Sequence, residues 1–432
     1  MKLYHNIKWM LAGLILMTAA ACKTNIDTPK PSSGSADFSK YIAVGNSLTS
    51  GYADGGLYLY GQQNSFPSII AQQMKLAGGG EFNQPLFDDA HANGSGYLSL
   101  TGFNPNGTPI LTPVTSNLAY RDAQGHLIKY SGDIENLGIP GMRLDLGVAA
   151  PTFSALNPFF ERLLPDAQVG NTTYLSFASG RNHTFFSLWL GNNDVLGWAT
   201  NGGVINNDPT KVLTSKANFA GLYATFVNTL TAQGQKGVVA TIPDVTAIPY
   251  FNTVTVAAIN AGLKANPQTA AYSLVISALD PASGQHVPRL ATPQDLLFLT
   301  FNTASLGVNG YGLSPLNPIK DEQVLDKDEV AIAQDYVASY NTSIKAIATS
   351  KGLAVFDAYA FLNQFKGKGT VIDGVSVNSS YIRGNIFSLD GVHLTPMGYA
   401  IAANGFIKSI NETYGSNIPS VAIANYSQVK FP

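Results

Sequence analysis

The chain has 432 residues, with 25 Lys and Arg against 27 Asp and Glu and a formal net charge of −2. Hydrophobic residues make up 45% and charged residues only 12%, so it can build a large core and is no solvating, disordered chain. The near-zero charge, with no basic block, argues against nucleic acid as a partner. A single cysteine, Cys22, excludes an intrachain disulfide framework and Cys-based metal clusters.

Lys2, His5 and Lys8 form a basic start, and Met10 to Ala21 carries no charge. That run is too short to span a bilayer, which takes about 20 residues, and it fits the apolar region of a secretory signal. It ends Ala19-Ala20-Ala21-Cys22, which resembles a bacterial lipobox, in which the cysteine is lipidated and becomes the first mature residue. Residues 1–21 are therefore expected as a lipoprotein signal peptide and Cys22 as the lipidation site. Residues 22–37, rich in Pro, Ser, Thr and Gly, are expected as a flexible tether. An ordinary signal peptide with an incidental cysteine is the alternative. Lys23 after the cysteine, rather than Asp, points toward the outer membrane of a bacterial envelope, with attachment through lipid and not through a helix.

From residue 38 onward the pattern alternates between strands and helices. Tyr41 to Val44 reads as a buried strand before a glycine, and Ser65 to Ala77 as a helix with Pro67 in its first turn. Thr184 to Leu190 is nearly all apolar and aromatic, which favours a buried strand. Phe219, Leu222, Tyr223, Phe226, Val227 and Leu230 recur at helical spacing; Gly234 stops that helix, and Gly237 to Ile242 reads as the next strand. Val330, Ala333, Val337, Tyr340, Ile344 and Ile347 mark another amphipathic helix, followed by Gly352 and a strand at Leu353 to Phe356. Pro396 opens a last helix through about Tyr414. Strands separated by long helices require crossovers and a parallel sheet covered on both faces. Residues 80–135 and 252–325 break the alternation and read as insertions shaping a site within one domain, 38–432.

Four short motifs lie at the expected strand ends. Gly45-Asn46-Ser47-Leu48 places a serine in the turn after the first strand, where open α/β sheets bind ligands. Thr49 stands where a Gly-x-Ser-x-Gly elbow needs its second glycine, which counts against the α/β-hydrolase family. Asn136-Leu137-Gly138-Ile139-Pro140-Gly141 offers exposed backbone N–H groups. Gly191-Asn192-Asn193-Asp194 offers an amide at a strand end. Asp390-Gly391-Val392-His393, before Leu394-Thr395-Pro396, lets a carboxylate hold an imidazole in one tautomer while its other nitrogen takes a proton. Taken singly, each motif is ordinary turn chemistry.

Together and in this order the four resemble the SGNH (GDSL-type) serine hydrolase family, over roughly residues 38–415. The resemblance implies a three-layer α/β/α, flavodoxin-like fold with a central parallel sheet and long insertions. It also implies ester hydrolysis through an acyl-enzyme, without metal or cofactor. Carried onto matching positions, Ser47 looks like the nucleophile, His393 the general base and Asp390 the orienting carboxylate. The Ser47 N–H, Gly141 N–H and Asn193 amide look like the oxyanion hole. Gly141 is preferred over Gly138 because it lies five residues after Asn136, as in the family block. Asn46 departs from the family, which usually has Asp there. The expected partner is a small-molecule or glycan ester, met at a membrane through the lipid anchor. That substitution and the long insertions motivate an alternative, a non-catalytic glycan- or lipid-binding surface lipoprotein on the same scaffold.

The remaining candidates read as structural. His91, His126, His183 and His286 are scattered, Asp244 and Asp357 follow strands as turn or cap residues, and the acidic stretch from Asp321 to Glu329 suits a helix N-terminus.

Overall fold

The computed structural model describes residues 30–204 and 207–432. The signal segment 1–21, Cys22 and the tether as far as residue 29 lie outside the described residues. Among the described residues no helix is long and apolar enough to cross a membrane.

Four parallel strands form the central sheet in the order β1 (Tyr41–Gly45), β2 (Phe185–Trp189), β3 (Lys236–Ala240), β4 (Ala354–Phe356). Tyr41 lies opposite Phe185, and Ala354 opposite Val238. Every residue of β1 and β2 is buried, as expected of strands covered on both faces. Outside β1 runs an extended stretch that the sequence pattern did not mark as a strand. Ala43 donates to the Glu135 carbonyl (2.8 Å), and Leu137 and Ile139 donate to those of Ala43 (2.8 Å) and Gly45 (3.1 Å). Counted with this segment, the order in space is second, first, third, fourth, fifth. That is the doubly wound order whose ligand crevice opens beside the first strand, outside the carboxyl ends.

Helices α1 (Ser47–Ser50), α2 (Phe66–Leu76), α3 (Asn193–Ala199), α4 (Lys216–Leu230), α5 (Lys327–Ser350) and α6 (Pro396–Tyr414) supply the outer layers and the rim. α2 packs on α6 and α4 on α5. Alternation along β2 sends Phe185 and Trp189 to one face, where Phe185 meets Tyr414 (5.8 Å) and Trp189 meets Phe406 (5.6 Å). On the α4–α5 side, Phe219 stacks on Tyr340 at 3.7 Å. The acidic stretch starts α5, where Asp326 and Glu329 form a reciprocal capping box.

The packed chain begins at Ser32, six residues ahead of the domain start expected at 38. Ser35 N–H donates to the Tyr414 carbonyl (2.9 Å), and Ala36 and Phe38 are buried. Hydrophobic anchors at Ala36 and Phe38 outweigh the Pro/Ser/Gly composition around them.

The insertions carry their own hairpins. Tyr97–Phe103 pairs with Pro109–Val114. Val275–Asp280 pairs with Gln285–Leu290 around a satellite core that includes Leu274, Ile276, Leu297 and Ile319. A small hairpin, Thr370–Ile372 with Val375–Val377, lies between β4 and α6.

Candidate active site

Ser47 opens α1 directly after β1, and a sharp turn makes this possible. A Cβ on Gly45 would lie 2.1 Å from Thr49 Oγ1 and 2.6 Å from the Trp189 carbonyl, so only glycine fits. Asn46 is the N-cap, its Oδ1 accepting the Leu48 N–H at 3.1 Å. An uncharged amide thus serves where the family usually has a carboxylate. The Tyr174 hydroxyl fixes the strand end, accepting from Gly45 N–H (2.8 Å) and donating to the Leu137 carbonyl (2.8 Å).

Ser47, Asp390 and His393 meet at this rim, although Ser47 and His393 lie 346 residues apart. Ser47 Oγ is 2.8 Å from His393 Nε2, and His393 Nδ1 is 2.8 Å from Asp390 Oδ2. Asp390 Oδ1 accepts the Val392 and His393 N–H groups (2.8 Å each) and the Ser388 hydroxyl (3.1 Å); Oδ2 also accepts the Gly55 N–H (2.9 Å). Burial by itself raises the Asp390 pKa. The facing His393 charge and hydrogen bonds outweigh it and hold the carboxyl well below the usual carboxylate range. An ionised carboxylate only accepts, so Nδ1 must carry the ring proton and the neutral imidazole leaves Nε2 bare toward Ser47. The Tyr52 ring packs against the imidazole, with centroids 4.6 Å apart.

The two glycines of the second motif have different jobs. Gly138 donates its N–H to Asn136 Oδ1 (3.1 Å), and a Cβ there would lie 2.3 Å from Ser50 N. It therefore packs against α1. Gly141 has φ +78°, and among the described residues its N–H, like that of Ser47, has no protein acceptor. Asn193, the first residue of α3, gives one amide hydrogen to the Met142 carbonyl (2.9 Å), which keeps it beside the Gly141 turn. Its second amide hydrogen remains available.

Several residues around the site had no role that the sequence by itself assigned. Arg143, fully buried, donates to the carbonyls of Asn193 (3.0 Å) and Val212 (2.8 Å), to Thr214 Oγ1 (2.9 Å), and to both oxygens of Asp145. It ties the Gly141 loop to α3. Asp194, also fully buried, accepts the Leu144 N–H (2.8 Å) and the Thr214 hydroxyl (2.7 Å). Burial pushes its carboxyl up to about 6 despite Arg143. The Asp54-Gly55 pair, an Asp-Gly turn signal in the sequence, reaches the triad carboxylate through Gly55.

The other candidates are placed as structural groups. Asp244 caps a turn through Thr246 (3.1 Å) and pairs with Lys366 (3.1 Å); Asp357 caps a helix through Ala360 (3.1 Å) and pairs with Lys345 (2.6 Å). His91 and His126 pair with Asp88 (2.8 Å) and Asp122 (2.7 Å), and His183 bridges the Arg181 and Leu230 carbonyls. His286 meets Glu329 at 3.0 Å beside Asp326, and the three ligand atoms lie within 4.8 Å of one another. Asp326 already caps α5, and burial, then Asp326, pushes Glu329 up to about 7, so these donors are committed to one another.

Comparison with known proteins gives a family match and distant structural likenesses. A search of curated proteins finds no significant match. The chain resembles a lipase/acylhydrolase from Enterococcus faecalis (10% identity, 88% of this chain and 99% of that one, TM-score 0.33). It also resembles phospholipase A1 from Streptomyces albidoflavus NA297 (12%, 86% and 98%, TM-score 0.31). An extracellular lipase from Streptomyces rimosus is similar as well (10%, 87% and 97%, TM-score 0.27). The sequence model of the GDSL-like lipase/acylhydrolase family matches residues 41–406. With that match across most of its length, the chain belongs to the GDSL-like lipase/acylhydrolase family of hydrolases.

Proposed function

We propose that this protein is a serine esterase that cleaves carboxylic esters through an acyl-enzyme on Ser47. The observation that carries the reading is the 2.8 Å contact between Ser47 Oγ and His393 Nε2, backed by the equal contact from Nδ1 to Asp390. His393 takes the hydroxyl proton as Ser47 Oγ attacks the ester carbonyl. The tetrahedral oxyanion meets the Ser47 and Gly141 N–H groups and the Asn193 amide. The protonated imidazole then returns its proton to the leaving alcohol. Water, activated by the same nitrogen, hydrolyses the acyl-enzyme and releases the acid. Asp390 keeps the imidazole in the working tautomer and stabilises its cation.

Turnover of p-nitrophenyl acetate and labelling by a fluorophosphonate test this directly. The wild type turns over and labels; Ser47→Ala does neither. Undiminished turnover in Ser47→Ala defeats the assignment. The same probe separates the non-catalytic binding alternative, in which wild type fails to label. The lipobox-like Ala19-Ala20-Ala21-Cys22 further supports a bacterial envelope protein anchored by lipid at Cys22, in the outer membrane. Cys22→Ser, which is expected to release the chain into the soluble fraction, tests the anchor.

A further inference from the structure

Behind the triad lies a turn that no family motif accounts for. Ala53 and Gly56 pair across it (3.0 and 2.9 Å), with Asp54 at φ +54° and Gly55 at φ +78° between them. Positive φ at both central positions is the demand of a type I′ turn, and Asp is among the few side chains that tolerate it. Three hydrogen bonds join this turn to the catalytic loop. Gly55 N–H donates to Asp390 Oδ2 (2.9 Å) and Asp54 N–H to Ser388 Oγ (2.9 Å), whose hydroxyl donates to Asp390 Oδ1 (3.1 Å). Asp54 Oδ1 accepts the Leu389 N–H (2.9 Å), and Oδ2 accepts the Tyr58 hydroxyl (2.7 Å).

We propose that Asp54 is a positioning residue for the ester hydrolysis. It sets the bearing of Asp390 through Ser388, Leu389 and the Gly55 amide, and its carboxylate supplies a second negative charge behind His393. The inference rests on the esterase reading above. Asp390 and His393 face Asp54 from the catalytic loop, and Tyr58 from its own segment. Tyr97, Tyr381 and Tyr399 face it from the long hairpin, the loop before the triad and α6. Asp54, Tyr58, Tyr97 and Lys430 line one cavity, in which the Lys430 ammonium lies over the Tyr60 ring at 5.2 Å. Burial and the Asp390 charge raise the Asp54 pKa, and the Leu389 N–H, the Tyr58 hydroxyl and the His393 charge oppose that rise only in part.

Asp54→Asn keeps the turn and the acceptor for Leu389 but removes the charge; Ser388→Ala keeps the charge but cuts the link to Asp390. Both are measured on p-nitrophenyl acetate from about pH 5 to 8, beside a thermal melt and fluorophosphonate labelling of wild type. In Asp54→Asn, kcat falls about tenfold with KM unchanged, and the acid limb of kcat/KM moves to lower pH because the imidazolium loses a negative neighbour. In Ser388→Ala, kcat falls and the acid limb stays. Profiles of Asp54→Asn that superimpose on wild type, or variants that lose only thermal stability, overturn the inference. If Asp54→Asn does not fold, Ser388→Ala decides, and a kcat within about twofold of wild type then overturns it. A wild type that neither turns over nor labels overturns the esterase reading and this inference with it.

Discussion

Asp390→Asn is the substitution whose consequence the geometry fixes most closely. Three donors converge on Oδ1 (Val392 N–H, His393 N–H and the Ser388 hydroxyl), so the asparagine oxygen must sit there. Its NH₂ then occupies the Oδ2 position and meets the Gly55 N–H and His393 Nδ1. Two consequences follow. Gly55 is exposed and loses its acceptor to water, which costs about 1 kcal/mol of stability or less. The amide donates to Nδ1, forcing the proton onto Nε2, where it blocks proton transfer from Ser47. A wrong tautomer of this kind lowers kcat by about 10⁴, or about 5 kcal/mol of transition-state stabilisation. A pH arm checks the electrostatics. The folded pKa of Asp390 is depressed from its ordinary 3.8, so its stabilisation is complete above that value and is lost as pH falls through the folded one. The stability gap between wild type and variant therefore narrows in acid. Steady-state kinetics on p-nitrophenyl acetate, with thermal melts at each pH, give both quantities. A folded Asp390→Asn enzyme whose kcat is within about tenfold of wild type refutes the tautomer argument.

Other substitutions probe the rest of the site. Asn193→Ala removes one of the proposed oxyanion donors and is expected to lower kcat by about 10²–10³ with KM little changed; a loss confined to KM would show that the amide binds substrate and transition state alike. Gly138→Ala, whose Cβ would lie 2.3 Å from Ser50 N, is expected to lower the melting temperature much further than Gly141→Ala, whose nearest neighbour is Asn157 Nδ2 at 3.5 Å and whose strain is about 1–2 kcal/mol. Equal melting temperatures for the two contradict this reading. Asp194 is raised to about 6, so its ionised form carries a folding penalty at higher pH that is relieved as pH falls through that value. Asp194→Asn should therefore gain most over wild type near pH 8 and least near pH 5, and melts showing the opposite trend exclude a raised carboxyl.

Much of the molecule was legible from local pattern. The apolar run ending at Val44 and the aromatic run ending at Leu190 became β1 and β2, because only buried parallel strands want such continuous burial. The helical spacings at Phe219–Leu230 and Val330–Ile347 and the Pro396 start became α4, α5 and α6. Ser47, Gly141, Asn193, Asp390 and His393 could be named only from the resemblance of four ordered motifs to a known family, since each motif taken singly is ordinary turn chemistry. What the tertiary structure decided is the long-range pairing. Residues 135–139 have no strand pattern, yet they extend the sheet, because Ala43 offers an unpaired edge. Arg143 in isolation looks like a surface residue, but burial with carbonyls and Asp145 on every side makes it the pin between two loops. Asp54-Gly55 announces only a turn; its grip on Asp390 spans 335 residues. Local sequence sets dihedral preference and the face each side chain presents, within a few residues. Which distant donors satisfy a buried carboxylate depends on how the crossovers bring strand ends to one rim, and that is settled only when the whole sheet closes.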